Sequence, residues 1–385
     1  MIILSFILII ITFFLKKKII LKKENNPKSI SFLIPARDES KVIENLLKSI
    51  INQTVKINTS DIYVIVEDKN DPTISICNKY NVSVIIRKNL DLKTKGYALD
   101  DGLKQIKKKY DLYFIMDADN VLDSKFVEEM LNSYREGYDI ATGYRNVKNG
   151  NDSLVSSASG VTFSLLNNIL NKSRIKNNIP VLLSGTGFYI KGKIINNFNG
   201  YPFNSLTEDY ELSLYSILNK YKTTYNDKAI FYDEQPINYK NTINQRKRWI
   251  KGYFTNRFKY LPLLKKSYKD NKDVSILNEL IGIKPYLMLI IGILIWIIYF
   301  ICNKMWLQIG IIFISIYIAL MLVTLLGLIN DKKINLSFKR KFQMIFFNPL
   351  YLISFVHIAI LVLINRNVTW EPVEHSRNID NITDK

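Results

Sequence analysis

Apolar residues are distributed unevenly along this chain of 385 residues, and they concentrate in four stretches. One covers residues 1–15, and three follow later in the chain, at residues 285–302, 305–329 and 345–364. Stretches of about 18 to 25 apolar residues are long enough to span a bilayer as helices. The pattern predicts a membrane protein and excludes a simple soluble enzyme. It also excludes a polytopic channel, because residues 24–280 contain no comparable stretch.

The first apolar stretch has the charge distribution of an uncleaved anchor. No basic residue precedes it, and five lysines follow within residues 16–23. A secretory signal peptide has its positive charge before the apolar part and a small-residue cleavage site after it. We therefore predict a membrane anchor over residues 1–23, with the chain entering the cytoplasm after it. The stretch is short for a span, and a helix lying in the membrane interface is the alternative.

Short β-rich runs alternate with helical stretches between the anchor and residue 248. The β-rich runs cover residues 29–37, 61–68, 82–88 and 112–119, and helical stretches include 41–52 and 95–110. This alternation predicts a largely parallel sheet covered by helices over residues 24–248. In open α/β sheets, ligands bind beyond the carboxyl ends of the strands. We expect the polar groups that close these strands to gather at one edge: Arg37–Glu39, Asp68 and Asp117–Asp119.

Residues 249–280 form an amphipathic connection to the later membrane segments. Ile250, Phe254, Phe258 and Leu261 recur at helical spacing with basic residues between them, which is typical of a membrane interface. An ordinary packed helix is the alternative. Three membrane segments are predicted within residues 281–365, and a polar tail covers residues 366–385.

The charge and the cysteine content narrow the function further. The net charge of +19 indicates an acidic partner. Membrane spans explain the location of many of the charges, so we do not expect nucleic-acid binding. The two cysteines, Cys77 and Cys302, exclude a disulfide framework and a thiolate zinc site. With only two histidines, any metal ion would have to be held by carboxylates.

Two acidic motifs follow the ends of predicted strands. Asp117 and Asp119 come directly after the apolar strand 112–116, and carboxylates at this spacing can jointly hold Mg²⁺ or Mn²⁺. Such pairs are also common on solvated turns, so the prediction depends on their position at a strand end. Asp68 suits a contact with a base or sugar edge, although residues 70–73 after it are equally typical of a helix-capping turn.

Two further motifs lie on predicted helices. Glu208 and Asp209 stand in a first helical turn, where acidic residues are common for helix-dipole reasons alone. Gln245, Arg248 and Trp249 stand at positions i, i+3 and i+4, so they share one face of a helix. Arginine suits bidentate binding of a diphosphate, and tryptophan suits the face of a sugar ring. The alternative for this group is a membrane-interface tryptophan among snorkelling cations.

Together these motifs resemble those of the membrane-bound glycosyltransferases of family 2, which include chitin, cellulose, hyaluronan and poly-N-acetylglucosamine synthases. The resemblance covers roughly residues 29–250, and its most specific part is Q-x-x-R-W preceded by T-E-D. One departure is Glu67-Asp68, where many members have paired aspartates; we expect Asp68 to keep the role. In chain order the motifs are Pro35–Glu39, Asp68, Lys95-Gly96, Asp117-x-Asp119, Gly185-Thr186-Gly187, Thr207-Glu208-Asp209 and Gln245-x-x-Arg248-Trp249.

The resemblance implies a GT-A fold, which has a mixed, mostly parallel sheet with helices on both faces, followed here by transmembrane helices. It implies inversion at the anomeric carbon, with Asp209 as the general base and Glu208 beside it. Asp117 and Asp119 would hold the nucleotide and Mg²⁺ or Mn²⁺, with Asp119 the main metal ligand. The implied substrate-binding residues are Ala36, Arg37, Glu39, Asp68, Lys95, Asp117, Gly187, Gln245, Arg248 and Trp249.

The sequence therefore predicts an inverting hexosyltransferase of the plasma membrane with a cytoplasmic catalytic domain. The resemblance favours a UDP-sugar donor, N-acetylglucosamine before glucose, and a growing polysaccharide or other glycan as acceptor. Single addition to a lipid carrier or glycolipid is the alternative. A degenerate domain acting as a non-catalytic scaffold is disfavoured because Asp117, Asp119, Asp209 and Arg248 are all present. Membrane lipids are expected partners, and the sequence identifies no accessory membrane subunit.

The charge distribution also predicts the membrane topology. Basic residues at 16–23 and 331–343 should lie in the cytoplasm, which gives four spans with both ends outside. A re-entrant last segment, bent at Asn348-Pro349, is the alternative. With Cys77 and Cys302 removed, Ser376→Cys should react with an impermeant maleimide in intact cells and Ser337→Cys should not. Protection at position 376 would overturn the four-span topology.

Overall fold

Eight strands form one mixed sheet at the centre of the described chain. The computed structural model describes residues 2–364, and the predicted polar tail lies outside the described residues. The strands are β1 (Ile30–Pro35), β2 (Ile62–Val66), β3 (Ser83–Ile86), β4 (Leu112–Ile115), β5 (Val121–Leu122), β6 (Ile140–Val147), β7 (Phe188–Lys191) and β8 (Thr223–Asp233).

Helices cover both faces of the sheet and extend from it toward the membrane segments. Those that belong to the sheet domain are α2 (Ile43–Ile51), α3 (Thr73–Lys79), α4 (Lys95–Gln105), α5 (Phe126–Arg135), α6 (Leu154–Leu165), α7 (Lys172–Lys176), α8 (Gly192–Ile195) and α9 (Glu208–Leu218), with a π-helix at Leu166–Asn171 between α6 and α7. The others are α1 (Ile2–Phe14), α10 (Tyr239–Asn271), α11 (Val274–Ile281), α12 (Lys284–Cys302), α13 (Trp306–Asn330) and α14 (Phe338–Ile364).

The sheet is buried on both faces because its central strands are apolar throughout. Side chains of a strand alternate between faces. In β1, Phe32 and Ile34 enter one core, which α2, α3 and α5 cover, whereas Leu33 enters the other, which α4, α8 and α9 cover. Burial on both faces is typical of parallel sheets whose connections are helices.

The strand order is β3-β2-β1-β4-β7-β6-β8-β5. The four predicted strands, β1 to β4, pair in parallel, as the sequence indicated. Strand β7 then lies antiparallel between β4 and β6, and β8 pairs in parallel with β6. The carboxyl ends of β1, β2 and β4 therefore meet at one edge, which is where the polar groups were expected.

Within residues 2–364, three helical stretches are long and apolar enough to cross a membrane: Val274–Cys302, Trp306–Asn330 and Phe338–Ile364. The predicted tight turn at Asn303 and Lys304 joins the first two, and Lys304 adopts a φ of 56°. The last helix continues through Asn348 and Pro349 without a break. A helix that continues through this pair is what the four-span topology requires of the last segment.

The first helix, α1, is shorter than the anchor predicted over residues 1–23. It has 13 residues and ends at Phe14, and residues 15–27 are not helical. The side chain of Lys17 binds Asp273 at 2.7 Å, and its backbone N–H donates to the carbonyl of Asn177. The chain after α1 is thus attached both to the sheet domain, at Asn177, and to the start of α11, at Asp273.

Helix α10 has 33 residues and runs across the predicted domain boundary at residue 248. On one side, Tyr260 and Leu264 pack against Tyr210 of α9, as the packed-helix alternative requires. On the other side, Phe258 is 70% exposed and Leu263 is 52% exposed, as an interfacial segment requires. One helix therefore connects the Q-x-x-R-W motif directly to the membrane-facing part of the chain.

Gly96 offers a test of how closely α4 packs against the chain before α9. A Cβ added at position 96 would overlap the backbone carbonyl of Phe203, which cannot rotate away. Gly96→Ala should therefore lower the free energy of unfolding by about 1–3 kcal/mol. Gly310→Ala on α13 is the control, because a Cβ there meets no atom within 4 Å. Equal apparent melting temperatures of the two variants in detergent would contradict this packing.

Candidate active site

Three aspartates form an acidic cluster at the carboxyl edge of the sheet. Asp117 and Asp119 follow β4, and Asp233 ends β8. One carboxylate oxygen from each lies within 4.8 Å of the others. Asp119 and Asp233 are buried, at 5% and 2% exposure, whereas Asp117 is partly exposed. Asp233 was not predicted, because the strand that it ends contains both polar and apolar residues and gives no apolar run like the one before Asp117.

Neutral donors fix the backbone and side chains of this cluster. The backbone N–H of Asp117 donates to Thr186 Oγ1 at 2.8 Å and to Asn120 Oδ1 at 3.1 Å. The amide of Asn120 donates to Asp233 Oδ1 at 2.9 Å. Asn120 therefore ties the turn after β4 to the end of β8.

Two cations lie on opposite sides of the cluster. Arg145 on β6 donates through Nε to Asp233 at 3.0 Å and through Nη1 to the carbonyl of Ser184 at 2.6 Å. Lys95 forms an ion pair with Asp117 and donates to the carbonyl of Gly185 at 2.7 Å. Burial lowers the pKa of Lys95, but Asp117 and Glu208 together raise it above its ordinary value, so this side chain stays charged.

The acidic cluster fits a hard divalent cation. All three side chains offer carboxylate oxygens, the ligands that Mg²⁺ and Mn²⁺ prefer. Their arrangement supports the predicted pairing of Asp117 with Asp119 and adds Asp233 as a third ligand group.

Glu208 and Asp209 lie at the start of α9, close to Lys95. Burial, and after it the charge of Asp209, raises the pKa of Glu208. Burial also raises the pKa of Asp209, while the backbone N–H of Tyr210 and the charge of Lys95 oppose that shift. Glu208 is 7% exposed, whereas Asp209 is more accessible. A carboxylate oxygen of Asp209 lies 3.8 Å from the position of a Cβ at Gly185, so this side chain reaches the loop that binds Lys95.

Helix α10 holds the start of α9 in place. The amide of Asn256 donates to the carbonyl of Thr207 at 2.9 Å and to its hydroxyl at 3.0 Å. Gly252 allows this approach, since a Cβ there would overlap the side chain of Thr207. The rings of Tyr210 and Tyr253 stack with centroids 5.0 Å apart. The helix with the Q-x-x-R-W motif thus positions Asp209 directly.

Trp249 of the Q-x-x-R-W motif is connected to Arg145 beside the acidic cluster through the ring of Phe163. Trp249 packs edge-on against Phe163 with centroids 6.0 Å apart, and the guanidinium of Arg145 lies 4.0 Å from the centre of the Phe163 ring. Among the described residues, buried Gln245 Oε1 and Arg248 Nε have no hydrogen-bond partner. Buried polar atoms without partners are uncommon in proteins, which marks these two as candidate ligand contacts.

The remaining predicted residues have mainly structural contacts. Arg37 pairs with Glu67 at 3.0 Å, and the backbone N–H of Glu39 donates to Thr73. Asp68 accepts from the backbone N–H of Asn70 at 2.8 Å. These contacts define a polar loop region at the ends of β1 and β2.

Ala36 and Gly187, which were predicted to bind substrate, have structural roles that depend on their backbone. Ala36 N–H donates to the carbonyl of Ile65 at 2.8 Å, which continues the β1–β2 pairing. Gly187 has a φ of 68°, and a Cβ there would overlap the ring of Phe231. This close packing and the positive φ explain why glycine stands there.

Comparisons with known proteins show that the part of the chain containing these residues matches a family of glycosyltransferases. Residues 27–252 match the family described as "Glycosyltransferase like family 2". The probable glycosyltransferase YdaM of Bacillus subtilis (strain 168) is 24% identical over 275 residues, which cover 69% of this chain and 64% of that protein. The poly(ribitol-phosphate) beta-N-acetylglucosaminyltransferase TarP of Staphylococcus aureus (strain N315) is 24% identical over 267 residues, or 60% of this chain and 79% of that protein. The match thus spans less than two thirds of the Bacillus protein.

A solved structure confirms the predicted fold. The mannosyltransferase PcManGT from Pyrobaculum calidifontis, in complex with GDP-Man and Mn²⁺, superposes with a TM-score of 0.55 at 14% identity. The superposition covers 94% of this chain and 96% of that chain. The GT-A sheet with helices on both faces is therefore the fold of this chain.

The role of Asp233 in cation binding can be measured without any substrate. Asp233→Asn keeps the shape of the side chain but removes one negative charge and one oxygen ligand. We expect the affinity for Mn²⁺, followed by electron paramagnetic resonance during titration, to fall at least about tenfold. Asp227→Asn is the matched control on the same strand, since Asp227 is 40% exposed and pairs with lysines. Unchanged Mn²⁺ affinity in a folded Asp233→Asn protein would remove Asp233 from the site.

Proposed function

This chain belongs to glycosyltransferase-like family 2, and we propose that it is a membrane-bound inverting transferase that moves a sugar from a UDP-sugar to a glycan acceptor. The family predicted from the sequence motifs is confirmed. The proposal depends above all on one observation: Lys95 connects a partly exposed carboxylate, Asp209, to a cluster of three aspartates that suits a divalent cation.

The acidic cluster suits the diphosphate end of a nucleotide-sugar. Asp117, Asp119 and Asp233 would hold Mg²⁺ or Mn²⁺, and such a cation would neutralise the negative charge that develops on the leaving diphosphate. The structure of PcManGT, which was solved with GDP-Man and Mn²⁺, supports this use of the site. Lys95 and Arg145 are already oriented by Asp117 and Asp233, so they supply preorganised positive charge.

The Q-x-x-R-W motif suits the other side of the same ligand. The Nε of Arg248 and the Oε1 of Gln245 are buried without partners, so a bound diphosphate and sugar would satisfy atoms that the protein leaves open. Trp249 lies next to Phe163 and offers a flat apolar surface for the acceptor end. We assign these three side chains to substrate binding.

Asp209 is the better candidate for the general base. An acceptor hydroxyl is a poor nucleophile until a base accepts its proton, and such catalysis typically contributes about 10²–10⁴-fold. Asp209 is more accessible than Glu208, whose burial separates it from substrate. Glu208 instead interacts with Lys95, which connects the base to Asp117. The attacked anomeric carbon is inverted because one displacement occurs without a covalent intermediate.

The membrane helices and the relatives guide the choice of donor and acceptor. The name of the Staphylococcus relative specifies N-acetylglucosamine transfer, which supports UDP-N-acetylglucosamine as the first donor to test. GDP-mannose, the ligand of PcManGT, is the alternative. A polysaccharide or other glycan elongated at the cytoplasmic face could pass outward beside α12 to α14, whereas single addition to a lipid carrier would need no such path.

The product can be identified in two steps. Purified membranes are first screened with a panel of nucleotide-sugars for nucleotide release in the presence of Mg²⁺ or Mn²⁺. The active donor, in radiolabelled form, then separates the two modes of transfer, because chain growth yields products of increasing size and single addition yields one. No release with any donor would favour a non-catalytic scaffold.

Replacing Asp209 tests the assignment of the base. Asp209→Asn should reduce transfer at least about 100-fold, because the amide cannot accept the proton, while donor binding measured by calorimetry is retained. Asp123→Asn, which alters another aspartate at a strand end of this domain, should transfer at the wild-type rate. Turnover of Asp209→Asn at the wild-type rate would remove this residue from the mechanism.

A further inference from the structure

A cavity of about 300 Å³ lies between the end of α13 and the sheet domain, and none of the three aspartates of the acidic cluster lines it. Its lining residues come from β6, the π-helix, α7, β8, the end of α13 and the loop after it: Tyr144, Asn168, Lys172, Asp227, Ile329, Asn330, Asp331, Lys332 and Lys333. No step proposed for sugar transfer uses these side chains.

The cavity is located where the membrane helices meet the sheet domain. The loop after α13 is attached to the domain, since the amide of Asn335 donates to the carbonyl of Val147 at 3.1 Å and Ser337 N–H donates to Asn151 at 2.8 Å. The end of α13 is therefore the end of this candidate membrane helix that lies against the sheet domain.

The walls of the cavity are fixed by hydrogen bonds. Asp331 is 2% exposed and accepts from the hydroxyls of Tyr144 at 2.6 Å and Ser164 at 2.5 Å. It also accepts from the amide of Asn168 at 2.8 Å. A π-helix is a frequent feature of functional sites, and Asn168 lies within one. These hydrogen bonds thus hold Asp331 and its neighbours in the cavity wall in place without a ligand.

The cavity has a net positive charge at its rim. Three lysines, Lys172, Lys332 and Lys333, face two carboxylates. Asp227 lies 3.6 Å from the ammonium of Lys172 and 3.7 Å from that of Lys333, and Asp331 is occupied by neutral donors. Lys333 also donates to the backbone carbonyl of Asp227 at 2.5 Å. An additional anion would therefore meet the exposed ammonium of Lys332 first, and it would compete with Asp227 for Lys172 and Lys333.

An apolar strip leads from the lipid-facing side of α13 to this rim. Leu322, Leu326 and Ile329 follow one another at helical spacing and are 54%, 57% and 60% exposed. Ile329 also lines the cavity. A ligand with a phosphate at one end and a hydrocarbon chain at the other fits this combination. Basic pockets at the cytoplasmic ends of membrane helices are known to bind anionic headgroups.

We propose that this cavity binds the phosphate of an anionic membrane phospholipid, with Lys172, Lys332 and Lys333 around the headgroup and an acyl chain along Leu322, Leu326 and Ile329. The binding is independent of the sugar-transfer reaction and can be measured on the purified full chain.

The test uses native mass spectrometry of the delipidated protein titrated with dioleoylphosphatidylglycerol or dioleoylphosphatidylcholine. The wild type should retain the anionic lipid at least about tenfold better, and Lys332→Gln with Lys333→Gln should remove that preference. Lys339→Gln with Lys341→Gln is the matched control: it removes the same charge from the same basic segment without altering the cavity. Lys332→Arg with Lys333→Arg should retain the lipid, which separates loss of binding from misfolding.

Three results would overturn the proposal. Equal retention of both lipids by the wild type would exclude a site for anionic headgroups. Equal losses in the two glutamine double variants would indicate general attraction to the basic segment instead of a site. Displacement of the lipid by millimolar inorganic phosphate would indicate a site for free anions, because it would show that the acyl chain contributes no affinity.

Discussion

Electrostatic repulsion among Asp117, Asp119 and Asp233 is the constraint on which the rest of the site depends. Carboxylates this close cannot all remain ionised in a partly buried position unless positive charge or hydrogen-bond donors offset them. Arg145 on one side and Lys95 on the other supply that charge within the protein. A divalent cation would offset the negative charge that remains on the three carboxylates.

These two cations also connect the cluster to the rest of the site. Lys95 contacts Asp117 and the Gly185 carbonyl, and its charge acts on Asp209. Arg145 lies over Phe163, which in turn packs against Trp249. The proposed base, Asp209, is thus linked to the acidic cluster through Lys95, and Trp249 of the Q-x-x-R-W motif is linked to it through Phe163 and Arg145. A change in the charge of the cluster would therefore alter the electrostatic environment of Asp209 and of the Q-x-x-R-W motif.

The membrane helices contribute to the same arrangement through a buried arginine. Arg246 on α10 is fully buried, with its guanidinium 4.2 Å from the ring centre of Tyr351 and 4.7 Å from that of Phe355, both on α14. It also donates to Ser354 at 2.7 Å. The hydroxyl of Tyr351 lies 2.8 Å from that of Ser159 on α6. The last membrane helix therefore fixes the helix that presents Gln245, Arg248 and Trp249.

Much of the fold and of the candidate site could be predicted, because local sequence patterns were sufficient to indicate them. The strands up to Asp117 and the helix that begins at Glu208 follow from periodicity, and the motifs indicated the family. Asp233 could not be found in the same way, because its place beside Asp119 depends on the long-range pairing of β8 with β5 and β6. That pairing includes a register shift at Gly143/Tyr144, which no local pattern predicts.

Helix boundaries near the membrane were the other feature that sequence patterns missed. The anchor was predicted over residues 1–23, yet α1 ends at Phe14 and Lys17 binds Asp273, the residue before α11. The change in composition after Arg248 suggested a boundary, yet α10 continues because its inner face packs on α9. In both cases contacts between distant segments decided the local structure.

The central claim is that the aspartate cluster binds a nucleotide diphosphate through a divalent cation. Calorimetric titration of the purified protein with UDP, in Mn²⁺ and then in excess EDTA, tests it most directly. The proposed site predicts measurable binding in Mn²⁺ that EDTA abolishes and that Asp119→Ala weakens. UDP binding of equal affinity in EDTA would contradict it.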